Sequence, residues 1–334
     1  MHEDGRIIGL GLANVDYKVK KDNLLKLPKE RHLLTSFLDK EIVNSNRKYF
    51  VCAGGSVSNI FMAFAELSSH LNFKLFCAIG NDERGKIYRS NTSLRLGEPQ
   101  IRDKGETGFW IALLDRQGNP EGLSYHGVGD DVEIQTADLK GSTNGLFITD
   151  ITSSKNPKTT DMLDAVLKLI KQDGGNFALS LGGARPNGIT KDKLSSLFSS
   201  FLIKPQIVFG NEQEFLYTSG NSDIKLGLEE SFSDARLLVV TLANKGTLIR
   251  FEGKTMFVPA ISIPTQKVVD QIGAGDAYMG TMLAFLYKRP YASWDIGQVQ
   301  NASKIARQAG AAIIQKMQSR LTPGHIKFLR HLIK

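Results

Sequence analysis

The sequence predicts a doubly wound α/β protein built around a mostly parallel sheet, and two observations lead to this prediction. Short apolar segments without alternation recur along the chain, as expected of strands buried on both faces of a parallel sheet. Segments with the helical spacing of apolar residues lie between them. Strands and helices that alternate in this way form a parallel sheet covered by helices.

The predicted strands are short apolar segments that end in, or are followed by, Gly, Asp, Asn or Thr. They cover residues 6–11, 75–80, 145–150, 177–181, 207–209 and 237–242. The predicted helices cover residues 57–69, 160–172, 190–202, 276–288 and 296–316. Ligands of such sheets bind at the carboxyl ends of the strands, so we expect the functional site at that edge.

Two segments interrupt the alternation, and we predict both as lid insertions in a single domain that spans residues 1–334. Residues 16–50 are polar and mixed in character. Residues 105–127 predict a β-hairpin with its turn at 116–119. A hairpin inserted into an α/β fold is expected to cover the active site and exclude water. The alternative is a hairpin that only decorates the edge of the sheet.

Composition limits the class of protein. The chain has 334 residues, of which 41% are hydrophobic, and a formal net charge of +8. Its Lys and Arg residues are dispersed, so we predict no nucleic-acid partner, although a mildly positive field would help to collect an anionic nucleotide. The chain has no apolar run of about 18 residues, so we predict no membrane-spanning helix. The two cysteines, Cys52 and Cys77, lack disulfide or metal-ligand spacing, and a cytoplasmic location is expected.

The segment Val268–Gly280 gives the strongest indication of chemistry. Gly273, Ala274 and Gly275 come directly before Asp276, where a helical pattern begins. A glycine-rich turn at a helix N-terminus leaves backbone N–H groups that can hold an anion. A carboxylate beside that anion can take a proton from an attacking hydroxyl, which predicts phosphoryl transfer to an alcohol with Asp276 as the base. The alternative is a turn whose acid only favours the helix dipole.

Two segments near the N-terminus are candidates for binding a hydroxylated ligand. Asp16 follows the first strand, where its carboxylate could accept hydroxyl hydrogen bonds or cap its own turn. Gly54 and Gly55 allow the backbone to approach a ligand closely. Ser56 is predicted to cap the next helix, and Asn59 could recognise a hydroxyl group.

Polar residues after the later strands are candidates for the other half of the site. Asn211 and Glu214 could hold Mg²⁺, which usually keeps several waters and shares phosphate oxygens, or they could simply begin a helix. Arg185 could pair with a phosphate. Lys245 and Gly246 lie where a nucleotide phosphate could bind.

Together these motifs resemble the ribokinase-like, or PfkB, family of ATP-dependent sugar and nucleoside kinases. The likeness rests on Gly54–Asn59 and Asp270–Asp276, and it spans almost the whole chain. It implies a three-layer α/β/α fold, doubly wound around a mostly parallel sheet, with a small β-sheet lid. It also implies ATP and Mg²⁺ as cofactors, with a monovalent cation as a further expectation.

The resemblance also implies a role for each candidate residue. Asp276 would remove the proton of an acceptor hydroxymethyl group while the amides of residues 273–275 stabilise the transferring phosphoryl group. The residues expected to bind the acceptor are Asp16, Gly54, Gly55 and Asn59. The residues expected to bind the nucleotide are Asn211, Thr241, Gly246 and Asp270, with Glu214 at the metal.

The chain departs from the family pattern at several positions. Gln271 and Ile272 stand where the family usually has small polar residues, and Leu181-Gly182-Gly183 replaces a usual Asp-Pro-Asn before Arg185. Ala243 replaces a glycine on the nucleotide side. These departures motivate an alternative hypothesis, in which the chain is a non-catalytic ligand-binding protein that keeps the kinase fold.

The acceptor is left open between a sugar and a nucleoside. Phe109 and Trp110 could stack on a purine, as expected of an adenosine-kinase-like enzyme, or they could only pack the lid on its sheet. An open lid edge could pair with a second copy of the chain, so a homodimer through the lid is a further expectation.

Overall fold

The computed structural model describes residues 6–20, 49–139, 145–154, 157–185 and 188–333. Most of the predicted insertion at 16–50 therefore lies outside the described residues. The described strands are β1 (Arg6–Leu10), β2 (Asn14–Lys20), β3 (Tyr49–Gly54), β4 (Asn72–Phe76), β5 (Ala78–Gly80), β6 (Gln100–Arg102), β7 (Thr107–Leu114), β8 (Pro120–Gly127), β9 (Leu146–Asp150), β10 (Asn176–Ser180), β11 (Ile207–Asn211), β12 (Leu237–Thr241), β13 (Gly246–Phe251) and β14 (Lys254–Pro259).

The five helices that the apolar spacing predicts are present, and the described residues form five further helices that it did not predict. They are α1 (Ser56–Leu67), α2 (Glu83–Ser90), α3 (Ile151–Ser154), α4 (Pro157–Gln172), α5 (Lys191–Ser200), α6 (Glu212–Ser219), α7 (Ile224–Glu230), α8 (Ala274–Leu286), α9 (Ile296–Ile313) and α10 (Pro323–Ile333). Within the described part of the chain, no helix has the length and apolar character needed to cross a membrane.

An eight-stranded sheet forms the centre of the molecule, in the order β14-β13-β12-β11-β10-β9-β1-β4. The strands from β12 to β4 are parallel, whereas β13 and β14 add an antiparallel edge. The segment predicted as one strand at 75–80 is divided, because the chain leaves the large sheet after Phe76 and Ala78–Gly80 pairs with β6 instead.

Both faces of the large sheet are covered, which explains why its strands are apolar without alternation. In β1, Ile7 belongs to the core on one face and Ile8 to the core on the other. Helices α1, α8 and α9 contribute to the first core, and α4 and α5 contribute to the second. The result is a three-layer α/β/α arrangement, as expected for a doubly wound sheet.

A second, smaller sheet has the order β3-β2-β7-β8 and contains the predicted hairpin as β7 and β8. Its strand β2 was not predicted, although Asn14–Lys20 alternates strictly between polar and apolar residues. On such a strand, successive side chains point to opposite faces. Val15, Tyr17 and Val19 pack in the apolar core, so the polar residues of β2 share the other face.

Candidate active site

A cavity of about 360 Å³ lies at the carboxyl ends of the parallel strands. Asp150, Ser180, Asn211 and Thr241 are the last residues of β9, β10, β11 and β12, and all of them line it. The small sheet closes the opposite side with Trp110, Ser124 and His126. The volume is within the range of small-molecule sites, and the position is the one predicted for a doubly wound sheet.

The cavity brings together most of the residues predicted as functional. Those that line it are Asp16, Gly55, Asn59, Asn211, Glu214, Thr241, Gly273, Gly275 and Asp276. Four predicted residues are not part of the cavity lining, namely Gly54, Ala274, Gly246 and Asp270. Arg185, Gly182 and Gly183 are also part of the lining.

Asp276 is held at the start of α8 by two residues of α1. Ser56 Oγ donates to Asp276 Oδ1 at 2.6 Å, and Asn59 Nδ2 donates to Asp276 Oδ2 at 3.2 Å. Burial raises the pKa of Asp276 to about 7, against the lowering effect of these two hydrogen bonds, and the charges of Asp150 and Glu214 add to the rise. A carboxyl group with a pKa near neutrality is suited to exchange a proton with a hydroxyl.

The role of Ser56 differs from the sequence prediction. Helix α1 begins at Ser56, and its N-cap is Gly55, whose φ is 96°. The hydroxyl of Ser56 is therefore not a cap, and it donates to Asp276 instead. Residues 56 and 276 are 220 positions apart, so no local pattern could have indicated this contact.

The turn before Asp276 presents backbone amides, as predicted. Gly273 is the N-cap of α8 with φ 81°, and a Cβ at this position would lie 2.6 Å from Ser319 O, so only glycine fits. Ala277 N donates to Gly273 O at 2.9 Å, whereas Ala274 N makes only a 3.4 Å bond to Gln271 O. Among the described residues, no acceptor is found for the amides of Gly273 and Gly275, as is usual in a first helical turn.

Asp16 lies on the cavity face of β2, with its side chain only 3% exposed. Burial raises the pKa of Asp16 to about 6, although the charges of Lys18 and Arg320 and a hydrogen bond from Ser319 lower it. Gly54 lies beside the carboxylate, and a Cβ at this position would collide with it. Gly54 therefore makes room for Asp16 instead of facing the cavity.

Arg320 contacts residues of the candidate site from behind the cavity lining, and sequence reasoning missed it. Its Nε donates to Asn59 Oδ1 at 3.2 Å, and a second nitrogen donates to Ser58 Oγ at 3.0 Å. Because the Asn59 oxygen faces Arg320, the Asn59 nitrogen faces Asp276. Arg320 thus orients the amide that contacts the proposed base.

Asp270 has a different environment from the one expected of a nucleotide contact. It is fully buried, and Lys18 Nζ donates to its Oδ2 at 2.6 Å. Its Oδ1 accepts from Ile272 N at 2.9 Å. Both carboxylate oxygens therefore accept hydrogen bonds from buried groups of the protein, and Asp270 is not part of the cavity lining.

The residues predicted to bind the nucleotide at the strand ends are held by local backbone contacts. Asn211 and Glu214 form a capping box at the start of α6, in which Glu214 N donates to Asn211 Oδ1 at 2.9 Å and Asn211 N donates to Glu214 Oε2 at 3.1 Å. Burial raises the pKa of Glu214, whereas hydrogen bonds from the backbone amides of Asn211 and Gly183 and the charge of Arg185 lower it. Gly246 is the first residue of β13, directly after the turn from β12, and its carbonyl accepts from Leu242 N at 2.7 Å.

Gln271, one of the departures from the family pattern, contacts the tip of the hairpin. Gln271 Nε2 donates to Asn119 Oδ1 at 2.9 Å and to Gln117 O at 3.1 Å, while Gln271 N donates to Gly118 O at 3.1 Å. A side chain shorter than Gln would not provide the first two contacts. This departure therefore connects the small sheet to the amide turn.

The two hairpin aromatics point to opposite faces of the small sheet. Phe109 is fully buried, packs against Tyr125 with ring centroids 5.3 Å apart, and carries the guanidinium of Arg84 over its ring. It therefore belongs to the core, which agrees with the alternative that it packs the small sheet and not with stacking on a ligand. Trp110 lines the cavity beside His126, whose Nδ1 lies 3.3 Å from Asp130 Oδ2.

Known proteins share this architecture. Residues 25–323 match the profile described as pfkB family carbohydrate kinase. A fructokinase of Vibrio alginolyticus is 23% identical over 303 residues, which cover 87% of this chain and 95% of that protein. The crystal structure of adenosine kinase from Sinorhizobium meliloti has a TM-score of 0.78 at 18% identity, covering 98% of this chain and 99% of the other.

A third similar structure is a fructokinase double mutant from Vibrio cholerae O395, in its fructose-, ADP- and potassium-bound form. Its TM-score is 0.73 at 18% identity, with 99% of each chain covered. These likenesses, together with the large mostly parallel sheet and the separate small sheet, confirm the predicted ribokinase-like fold class.

Proposed function

This chain belongs to the pfkB family of carbohydrate kinases, and from this membership we propose that it transfers the γ-phosphoryl group of ATP to a hydroxymethyl group of a sugar or nucleoside. Asp276 is the general base, and the amides of residues 273–275 form the anion hole. Kinase activity in the fructokinase relative and ADP in the Vibrio cholerae fructokinase structure support ATP as the donor.

One observation carries the proposal, namely the position of the Asp276 carboxylate at the amide turn. A carboxyl group whose pKa is raised to about 7 lies in the same helical turn as amides that lack an acceptor among the described residues. The base and the groups that would stabilise developing negative charge are therefore adjacent. Phosphoryl transfer depends mainly on such positioning and electrostatic stabilisation.

The reaction follows from this arrangement. Asp16 and Asn59 hold hydroxyl groups of the acceptor, while its hydroxymethyl O–H faces Asp276. The Asp276 carboxylate takes the proton as the hydroxyl oxygen forms a bond to the γ-phosphorus. The bond between that phosphorus and the oxygen of ADP breaks, and the amides of residues 273–275 stabilise the charge on the transferring group.

We assign Asn211, Thr241 and Gly246 to the nucleotide side and Glu214 to Mg²⁺. The described residues contain no cluster of three metal-ligating side chains, and Mg²⁺ fits this setting because it is often held by one or two carboxylates, waters and substrate phosphates. Glu214 Oε2 is used in the capping box, and Asp150 is a second carboxylate in the same cavity. When bound, Mg²⁺ neutralises phosphate charge. No residue is assigned to a monovalent cation.

The acceptor class is a separate question, and a nucleoside is the second candidate. Trp110 lines the cavity opposite the strand ends, where its indole ring could stack on a base. The adenosine kinase similarity supports this candidate, and the fructokinase similarity supports a sugar. The buried carboxylate of Asp16 suits the hydroxyl groups of either.

The test is an assay of ADP formation with Mg²⁺-ATP and a panel of sugars and nucleosides. We expect ADP to form only in the presence of particular acceptors, with a phosphorylated product of matching mass. Ligand binding without turnover across the panel would favour the non-catalytic binding protein. Assays with and without K⁺ show whether a monovalent cation is needed.

The variant Asp276→Asn tests the assigned base. Loss of the general base should lower kcat by roughly 10²- to 10⁴-fold while acceptor and ATP binding remain. The matched control is Asp192→Asn, which changes an exposed acid in the first turn of α5 and should leave kcat unchanged. Full turnover in Asp276→Asn would overturn the assignment.

A further inference from the structure

Lys18 is a buried cation that the reaction scheme does not use. Its side chain is 0% exposed, on the cavity face of β2. The ammonium donates to Asp270 Oδ2 at 2.6 Å and to Ser319 Oγ at 2.7 Å. A buried ion pair often stabilises a protein no more than apolar packing of the same volume, so stability alone is a weak reason for a lysine at this position.

Asp270 connects this cation to the amide turn. The carboxylate accepts from Lys18 with one oxygen and from Ile272 N with the other, at 2.9 Å. Ile272 is the residue before Gly273, where the turn begins. The Asp270 carboxylate therefore helps to hold the backbone where it enters the turn, and Lys18 helps to hold the carboxylate.

Ser319 connects the same cation to the acceptor side. Its hydroxyl accepts from Lys18 at 2.7 Å and donates to Asp16 Oδ2 at 3.3 Å. Its carbonyl packs against Gly273, so closely that a Cβ there would be 2.6 Å away. The Lys18 ammonium thus contacts Asp270, which holds the turn, and Ser319, which holds Asp16.

We propose that Lys18 is a positioning residue. Its buried ammonium on β2 holds the 272–275 turn and the Asp16 carboxylate in the relative positions that phosphoryl transfer needs. The proposal rests on the proposed kinase function. Lys18 acts only through Asp270 and Ser319. Its removal should therefore change turnover and acceptor use, and leave the nucleotide side unaffected.

The decisive variant is Lys18→Met/Asp270→Asn, which removes both charges at once. A neutral pair of similar size avoids leaving a lone buried charge, and the asparagine that replaces Asp270 keeps an oxygen that can accept from Ile272 N. Lys18→Met alone shows the effect of breaking the pair. The matched control is Lys20→Met, which removes the next lysine on the same strand at an exposed position.

Steady-state kinetics of the folded variants give the main result, with folding verified by thermal unfolding. We expect the double variant to lose about 10- to 100-fold in kcat/KM for the acceptor, as for a modest misplacement of reacting groups, while KM for ATP is unchanged. Lys20→Met should match the wild type. A folded double variant with wild-type kcat and acceptor KM would overturn the proposal.

Hydrogen exchange of the peptides that cover residues 268–276 separates this proposal from the kinase assignment. If the wild type phosphorylates none of the acceptors, the proposed function fails, and the exchange data still test the positioning role. Faster exchange at these residues in the double variant than in Lys20→Met supports the role. Equal exchange overturns it.

Discussion

The two ends of the cavity are built in different ways. At the proposed acceptor end, Asp16 and Asn59 are 3% and 5% exposed, and their partners Ser319 and Arg320 lie 303 and 261 residues away in the chain. At the proposed nucleotide end, Asn211 is exposed, and its capping box joins it to Glu214, three positions further along the chain. The acceptor end is held by tertiary side-chain contacts, and the nucleotide end by the local geometry of a strand end and a helix start.

The difference indicates how the two ends would recognise their ligands. Buried polar groups with fixed partners discriminate strongly, because a ligand that fails to pair with them leaves them unsatisfied. Strand ends and helix caps offer backbone groups that suit phosphate of any origin. We therefore expect selectivity for the acceptor to be strict and selectivity for the nucleotide to be less so.

The largest effect that would test this comparison is expected from Asp16→Asn. Hydrogen bonds to a charged group contribute about 1.5–3 kcal/mol, so kcat/KM for the acceptor should fall on the order of 10- to 100-fold. KM for ATP should not change, and steady-state kinetics with each substrate varied in turn measure both. Asp103→Asn, at an exposed position, is the control. A change in KM for ATP without a change in kcat/KM for the acceptor would contradict the division of the cavity into two ends.

A smaller effect, at the opposite end, is expected from Glu214→Gln. Glutamine can replace glutamate in a capping box, so helix α6 should keep its start. The loss of one carboxylate should raise the Mg²⁺ concentration for half-maximal rate by about tenfold, because ligand charge sets cation affinity. Titration of Mg²⁺ at saturating acceptor measures this. Glu212→Gln in the same turn is the control, and an altered acceptor KM in Glu214→Gln would break the comparison.

The smallest effect is expected at the contact between α1 and α8, from Ser56→Ala. The Ser56 hydroxyl lowers the pKa of Asp276, so its removal should raise that pKa above about 7. A base is active when deprotonated, so the rate is full above the pKa and falls as pH decreases through it. The acid limb of the kcat/KM profile should therefore move to higher pH by about one unit. Ser56→Thr keeps the hydroxyl and should restore the wild-type limb, and coincident limbs for all three proteins would refute the contact's role.

The parallel strands of the large sheet were predictable because burial on both faces makes them predominantly apolar. The antiparallel strands β13 and β14 were not predicted, and β14, at the edge, is largely exposed and mixed in composition. Strand β2 was missed because its cavity-facing residues are polar, which made the segment look like a loop, although its alternation was present in the sequence. Phe109 and Trp110 are consecutive residues of β7, so their side chains must point to opposite faces of the small sheet. Which of the two faces the cavity depends on how the sheet packs, and that is a tertiary property.

The candidate site was predictable where a residue type follows a strand or opens a helix, as for Asp16 and Asp276. It was not predictable where a side chain depends on a distant partner. Lys18 and Ser319 are 301 residues apart, and nothing near either position indicates the other. Asp270 shows the same limit, because its place in a motif does not reveal which way its carboxylate points.

The long separation between Lys18 and Ser319 has a consequence for protein synthesis. At roughly 5–20 residues per second, about 15–60 s pass between the appearance of these two residues on the ribosome. All eight strands of the large sheet are complete by Pro259, well before Ser319 has been added. A nascent chain therefore contains every strand of the central sheet before it contains Asp270 and Ser319, the ion-pair and hydroxyl partners of Lys18, so the contacts of Lys18 are among the last that synthesis makes possible.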